Sequence, residues 1–108
     1  MATAYKILGQ SAPASTTATL YTVPASTETV VSTINVANTG ASSATVSIAI
    51  RENGDTLATK HYLVKDLTLP TASVFTYTAG ITINATDVIT IISSTNDVAF
   101  SAFGSEIA

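Results

Sequence analysis

A chain of 108 residues is long enough for one continuous hydrophobic core and too short for two. Charged residues are only 10% of it and hydrophobic ones 46%, where an ordinary soluble domain carries roughly 25% charged residues; serine, threonine and alanine fill the gap, a surface that gives up little ionic hydration when two such faces meet. A net charge of −3, a pI near 4.6 and just four cations, Lys6, Arg51, Lys60 and Lys65, argue against a nucleic-acid binder, which needs a basic stripe to displace counterions.

Along the chain the pattern is strand after strand. Tyr5 to Leu8 forms a short strand followed by Gly9 and Ala12-Pro13, and Thr19 to Val23 a second one stopped by Pro24. Val30 to Ala37 is β-branched and alternating, with Ile34 and Val36 on one face and Thr33 and Asn35 on the other. After the turn chemistry of Asn38-Thr39-Gly40, Ala44 to Arg51 alternates cleanly, so these two runs read as antiparallel neighbours. Asn53-Gly54-Asp55 signals a tight turn because Asn and Gly tolerate positive φ, which brings the segment from Leu57 to Leu69 back beside the preceding strand as a hairpin. Ser73 to Thr78, Val88 to Ser93 and Val98 to Phe103 repeat the grammar, separated by Gly80, by Asn84-Ala85-Thr86-Asp87 and by Thr95-Asn96-Asp97.

No stretch carries apolar residues at helical spacing, so the expectation is an all-β fold: an antiparallel β-sandwich or jelly-roll-like domain of about eight short strands spanning residues 1–108. The expected core is Leu20, Val30, Ile34, Val36, Val46, Ile48, Ile50, Leu63, Val74, Ile81, Ile83, Val88, Ile92, Val98 and Phe100. Some strands are apolar on both faces: Ile89 and Ile91 lie opposite Val88 and Ile92, and Phe75 and Tyr77 opposite Val74. So small a domain cannot cover every such face with its own core, so a second apolar surface is expected to be buried by a partner, the competing explanation being loops folded over it. The candidate interface is the terminal segments 1–10 and 100–108 with the doubly apolar strand, represented by Tyr5, Ile7, Leu8, Ile89, Ile91, Phe103 and Ile107; against it stands ordinary pairing of the termini within the domain.

The inventory for chemistry is poor. The single histidine, His61, falls inside a strand pattern where a packed structural role outweighs that of a base. No Gly-x-Ser-x-Gly turn presents a nucleophile, and the seven carboxylates Glu28, Glu52, Asp55, Asp66, Asp87, Asp97 and Glu106 are scattered over turns and strand ends with nothing selecting a pair. Without cysteine there is no disulfide scaffold, thiolate metal site or Cys nucleophile. Asn53-Gly54-Asp55 and Asn84-Ala85-Thr86-Asp87 offer oxygen ligands without the spacing of a calcium loop, and the glycines are too dispersed to cradle a phosphate. Neither an enzyme nor a cofactor or metal protein is expected. No basic leader precedes an apolar run, and no apolar run approaches the roughly 18 residues of a membrane helix, so synthesis in the cytoplasm and no membrane partner are expected.

The ordered series Ala4-Tyr5-Lys6-Ile7-Leu8-Gly9-Gln10, Leu20-Tyr21-Thr22-Val23-Pro24-Ala25, Val31-Ser32-Thr33-Ile34-Asn35-Val36-Ala37-Asn38, Lys60-His61-Tyr62, Gly80-Ile81-Thr82-Ile83 with Asp87-Val88-Ile89-Thr90, and Ala102-Phe103-Gly104-Ser105-Glu106-Ile107 resembles small β-rich virion structural proteins of tailed bacteriophages, particularly those infecting cyanobacteria. The resemblance covers nearly the whole chain and implies a non-enzymatic particle component located in the virion. The expected role is a capsid decoration or cement protein that contacts the major capsid protein and self-associates, with a trimer as the expected homo-oligomer. The alternative is a tail, neck or fibre module, partnered by tail or neck proteins and involved in host attachment. For that role the sequence lacks tryptophan, and Tyr5, Tyr21, Tyr62 and Tyr77 all fall inside strand patterns rather than on loops.

Overall fold

The structure is a computed structural model that describes residues 3–14 and 17–108. Nine strands run through the described residues: β1 (Thr3–Ser11), β2 (Thr17–Thr22), β3 (Glu28–Asn38), β4 (Ala44–Arg51), β5 (Tyr62–Leu69), β6 (Val74–Tyr77), β7 (Ile81–Ile83), β8 (Val88–Ser93) and β9 (Val98–Ile107). They form two antiparallel sheets, one ordered β1-β9-β3-β6 with β7 also on β3, the other ordered β2-β8-β4-β5. The chain passes from one sheet to the other between β1 and β2, β2 and β3, and β3 and β4, and returns beside itself at the end, when β9 inserts between β1 and β3. This is the connectivity of a double-sheet jelly roll, an all-β sandwich as the alternating sequence requires.

Three local expectations need correction. β3 and β4 are not neighbours: they sit in opposite sheets, and the Asn38–Ser43 connection crosses between them. Buried Asn38 anchors the crossing, since its Nδ2 donates to the carbonyls of Ser42 (2.9 Å), Leu69 (3.0 Å) and Pro70 (3.2 Å) while its Oδ1 accepts from the Gly40 N–H at 3.0 Å. β4 and β5 do pair antiparallel, with Ala44 opposite Leu69 and Ile48 opposite Val64. Their link, however, runs through two 3-10 turns, Glu52–Gly54 and Thr59–His61, with Asn53 and Gly54 at positive φ as their residue types favour. The short β7 is an additional strand, held by pairing of Ile81 to Ile83 with Val31 to Thr29.

The core lies between the sheets around Phe100, Ile34, Val36, Ile48, Ile89, Ile91, Val46 and Val98, all fully buried. Each such side chain contributes about 1.5–3 kcal/mol through removal of apolar area from water. Nine expected core residues, Leu20, Ile34, Val36, Val46, Ile48, Ile83, Val88, Val98 and Phe100, are buried. Ile50, Ile81 and Ile92 are half-buried, whereas Val30, Leu63 and Val74 are exposed.

The misplacements have physical causes. In β3 the pairing with β9 slips between Val31 and Thr33, so Ser32 is a bulge residue and the inward series changes from Thr29 and Val31 to Ile34 and Val36. Val30 is in phase with Ile34 by counting but faces outward. In β6, Phe75 and Tyr77 pack toward the core and leave Val74 outside, because the larger rings remove more apolar area from water. In β8, register with β4 places Ile91 opposite Ile48 and Ile89 opposite Ile50, so Ile89 and Ile91 point inward.

Candidate contact face on the five-stranded sheet

Three strands form the site, the first and last of the fold and β3, which lies between them in sequence. β9 lies between β1 and β3, with Ile7 opposite Phe103 and Tyr5 opposite Ser105 on one side, and Thr33 opposite Phe103 and Val30 opposite Ser105 on the other. Side chains alternate across a strand, so Tyr5, Ile7, Phe103 and Val30 gather on the outer face of this sheet. They are 86%, 52%, 37% and 37% exposed, which makes them four of the six large hydrophobic residues left outside among the described residues. Their neighbours on the same face, Thr3, Thr33, Ser101 and Ser105, carry hydroxyls and no charge. Ile107, opposite Thr3 and Glu28, is half-buried at the lower margin of the face, where it lines a shallow open depression with Glu28, Val30 and Glu52.

Glycines permit the close strand spacing beneath this face. A Cβ on Gly104 would lie 2.0 Å from the Val30 carbonyl oxygen, beside the β3 bulge, and one on Gly9 would lie 2.1 Å from that of Leu20 in β2. Leu8 is the extra residue where the β1–β9 register slips between Ile7 and Gly9; it is half-buried and packs against the core rather than joining Tyr5 and Ile7.

A polar network on the inner side fastens the same strands. Glu106 of β9 accepts from Lys6 Nζ of β1 at 3.0 Å and from the Tyr21 hydroxyl of β2 at 2.5 Å. With its one proton given to the carboxylate, the Tyr21 oxygen accepts from Thr29 Oγ1 of β3 at 2.8 Å. The Tyr21 bond first and the Lys6 ion pair second hold the Glu106 carboxyl below its ordinary range. Burial, reinforced by the adjoining carboxylate, pushes the Tyr21 phenol up to about 12.

Two of the expected interface residues, Ile89 and Ile91, do not reach the surface. Both are fully buried in the core of the sandwich, so they are withdrawn as contact residues. The opposite side of β8 is covered within the chain: Arg51 Nε donates to Thr90 Oγ1 at 3.0 Å and its guanidinium donates to the Gly54 and Asp55 carbonyls, drawing the Glu52–His61 connection across Val88 and Thr90. A loop thus covers the second face of β8, the competing explanation raised from the sequence. The termini pair with each other inside the domain, and of the expected contact residues Tyr5, Ile7 and Phe103 converge on one exposed face, with Ile107 at its margin.

His61 lies outside this face. Its Nδ1 accepts from the Ala58 N–H at 2.9 Å, which puts the ring proton on Nε2, a buried atom 3.7 Å from Asp55 Oδ2. Asp87 accepts from the backbone N–H groups of Asn53 and Asn84, both at 2.8 Å, and so staples the β4–β5 connection to the β7–β8 turn. Among the described residues no group of three His, Asp or Glu side chains could hold a metal ion, and no helix is long and apolar enough to cross a membrane.

Val30, Leu63 and Val74 are the exposed apolar residues that sequence reasoning placed in the core. For Val74 the signal was present, since two aromatic rings on the opposite side of a short strand outweigh one valine. For Val30 no local signal existed, because the bulge at Ser32 arises from pairing with a strand some seventy residues further on.

No family model matches the chain, and no curated protein is similar to it. Two similar solved structures are both crystal structures of a pentameric capsid protein isolated from metagenomic phage sequences, one of them solved by iodide SAD phasing. The first is 17% identical with a TM-score of 0.34, over 96% of this chain and 59% of that one. The second is 16% identical with a TM-score of 0.33, over 96% and 60%. This chain therefore spans about six-tenths of the length of those capsid proteins.

Proposed function

We propose that this chain is a non-enzymatic structural protein of a bacteriophage virion, a decoration or cement protein that binds the major capsid protein through the outer face of its five-stranded sheet. The observation that carries the reading is the exposed, uncharged apolar cluster of Tyr5, Ile7, Phe103 and Val30. A flat face with aromatic anchors and a hydroxyl-bearing surround suits the core of a protein interface, where charged residues are depleted and tyrosine and phenylalanine enriched. Repetition over many identical capsid sites multiplies a modest contact energy by avidity, and self-association of the subunit adds to it. The ordered motifs that resemble small β-rich virion proteins, and the low charge of the chain, support the same reading.

A tail, neck or fibre module that engages the host surface is the second reading, and Tyr5 favours it: an 86% exposed ring offers a platform on which a sugar stacks. The test is reconstitution. Purified protein added to particles that lack it binds stoichiometrically and raises their resistance to heat and osmotic shock. Absence of binding overturns the cement assignment, and immunogold labelling of complete particles at the tail rather than the head transfers the protein to the second reading.

A further inference from the structure

We infer that two copies of this chain pair edge to edge through β1, antiparallel about a two-fold axis at Tyr5, so that the two five-stranded sheets merge into one. This deepens the self-association named above, rests on it, and replaces the expected trimer with a pair.

Among the described residues the edges of the two sheets are β1, β2, β5 and the short strands β6 and β7. β6 and β7 are four and three residues long, too short to template a partner. β5 has two register slips against β4, positive φ at Asp66, and the Lys65–Asp66 ion pair on its rim. β2 slips between Thr19 and Tyr21, and Gly9 lies against its Leu20 carbonyl. β1 differs. Among the described residues it pairs with β9 alone, and Thr3 to Ile7 pair with Ile107 to Phe103 without a break, with all five residues exposed. On the side away from β9, alternate backbone N–H and C=O groups of this run have no strand partner among the described residues. The one inward-pointing charge, Lys6, which would ordinarily discourage such an edge, is already neutralised by Glu106 at 3.0 Å.

An antiparallel edge is its own complement, so a second copy satisfies each of these backbone groups. Charge and regularity then select the register. Centring on Lys6 would oppose two ammonium groups, centring on Ile7 would bring the Leu8 bulge into the ladder, and centring on Ala4 would, among the described residues, pair just Thr3, Ala4 and Tyr5 among themselves. Centring on Tyr5 uses the whole regular run: Tyr5 meets the partner's Tyr5, Thr3 meets the partner's Ile7, and Lys6 meets the partner's Ala4. The outer faces join at the axis, and the two Tyr5–Ile7–Phe103 clusters become one continuous apolar surface.

The chain contains no cysteine, so an introduced one reports this geometry without background. Opposed Cα atoms in an antiparallel ladder are about 4.5 to 5.5 Å apart, within the range a disulfide spans. Under mild oxidant, Tyr5→Cys cross-links rapidly to a covalent dimer, whereas Thr68→Cys on the β5 edge does not. Thr3→Cys alone cross-links poorly but joins efficiently to Ile7→Cys when the two are mixed; efficient Thr3→Cys homodimers overturn the antiparallel register. In sedimentation, wild-type protein forms a dimer, and Tyr5→Asp, checked for unchanged circular dichroism, weakens it about tenfold or more. A wild-type protein that stays monomeric over a wide concentration range, with Tyr5→Cys oxidising no faster than Thr68→Cys, overturns the pairing. If that monomer still binds particles, the virion reading stands without it; if a dimer forms but no particle is bound, the reverse holds.

Discussion

Glu106 receives hydrogen bonds from Tyr21 and Lys6 at once, joining β9 to β2 and β1. Its carboxyl is more acidic in the fold than in the unfolded chain, where the value is about 4.3. The unfolded state therefore takes up protons first as pH falls, so the stability this group supplies is complete above about 4.3 and disappears as pH drops through the lower folded value. Tyr21 acts at the other limit: its contribution is complete below about 10, its unfolded value, and is lost as pH rises toward about 12. Urea midpoints measured across pH should show both limbs. Glu106→Gln flattens the acid limb and costs about 1–3 kcal/mol at neutral pH, while Tyr21→Phe removes the alkaline one. Gly104 is a steric rather than a polar requirement, since a methyl there meets backbone and not a movable side chain. Gly104→Ala is expected to lower stability by about 2–4 kcal/mol, read from the same denaturation curves.

Among the elements, β8 and β6 show how a strand with apolar residues on both sides chooses its inner face. Ile89 and Ile91 are inward because β4 presents Ile50 and Ile48 to them, and the loop drawn over Val88 and Thr90 covers the other side. Ile91→Ala should cost about 2–5 kcal/mol, whereas Val74→Ala, at a 62% exposed position, should stay within about 0.5 kcal/mol, as thermal unfolding will check. The covering loop depends on Asp87, whose carboxylate satisfies two backbone donors. Asp87→Ala is expected to cost about 1–3 kcal/mol and to accelerate amide exchange at Asn53 and Asn84 before the sheets open.

For the whole molecule, the decisive arrangement is the entry of the last strand between the first and the third. It creates the face on which Tyr5, Ile7 and Phe103 meet, from residues nearly a hundred positions apart. Phe103→Asp places a charge in the middle of that face, at a position 37% exposed. Particle binding should fall about tenfold or more while the melting temperature changes little, measured by co-sedimentation and by calorimetry; loss of the melting transition instead would return Phe103 to the core. Such non-local pairing also makes refolding a process of milliseconds to seconds rather than microseconds.

The β class, the strand segments, the Asn-Gly reversal after β4, the pairing of β5 with it and half of the buried core were legible in the residues themselves, because alternation and turn chemistry are local properties carried by neighbours in sequence. The chain ends, expected from the sequence to make contacts, place Tyr5, Ile7 and Phe103 on one exposed face. What only tertiary structure decided was the side each ambiguous strand turns inward, the placing of β3 and β4 in opposite sheets, and the slip at Ser32 that exposes Val30. Those outcomes depend on register with distant strands. A one-residue shift reverses every side chain, and no pattern within a single strand records which partner will impose it.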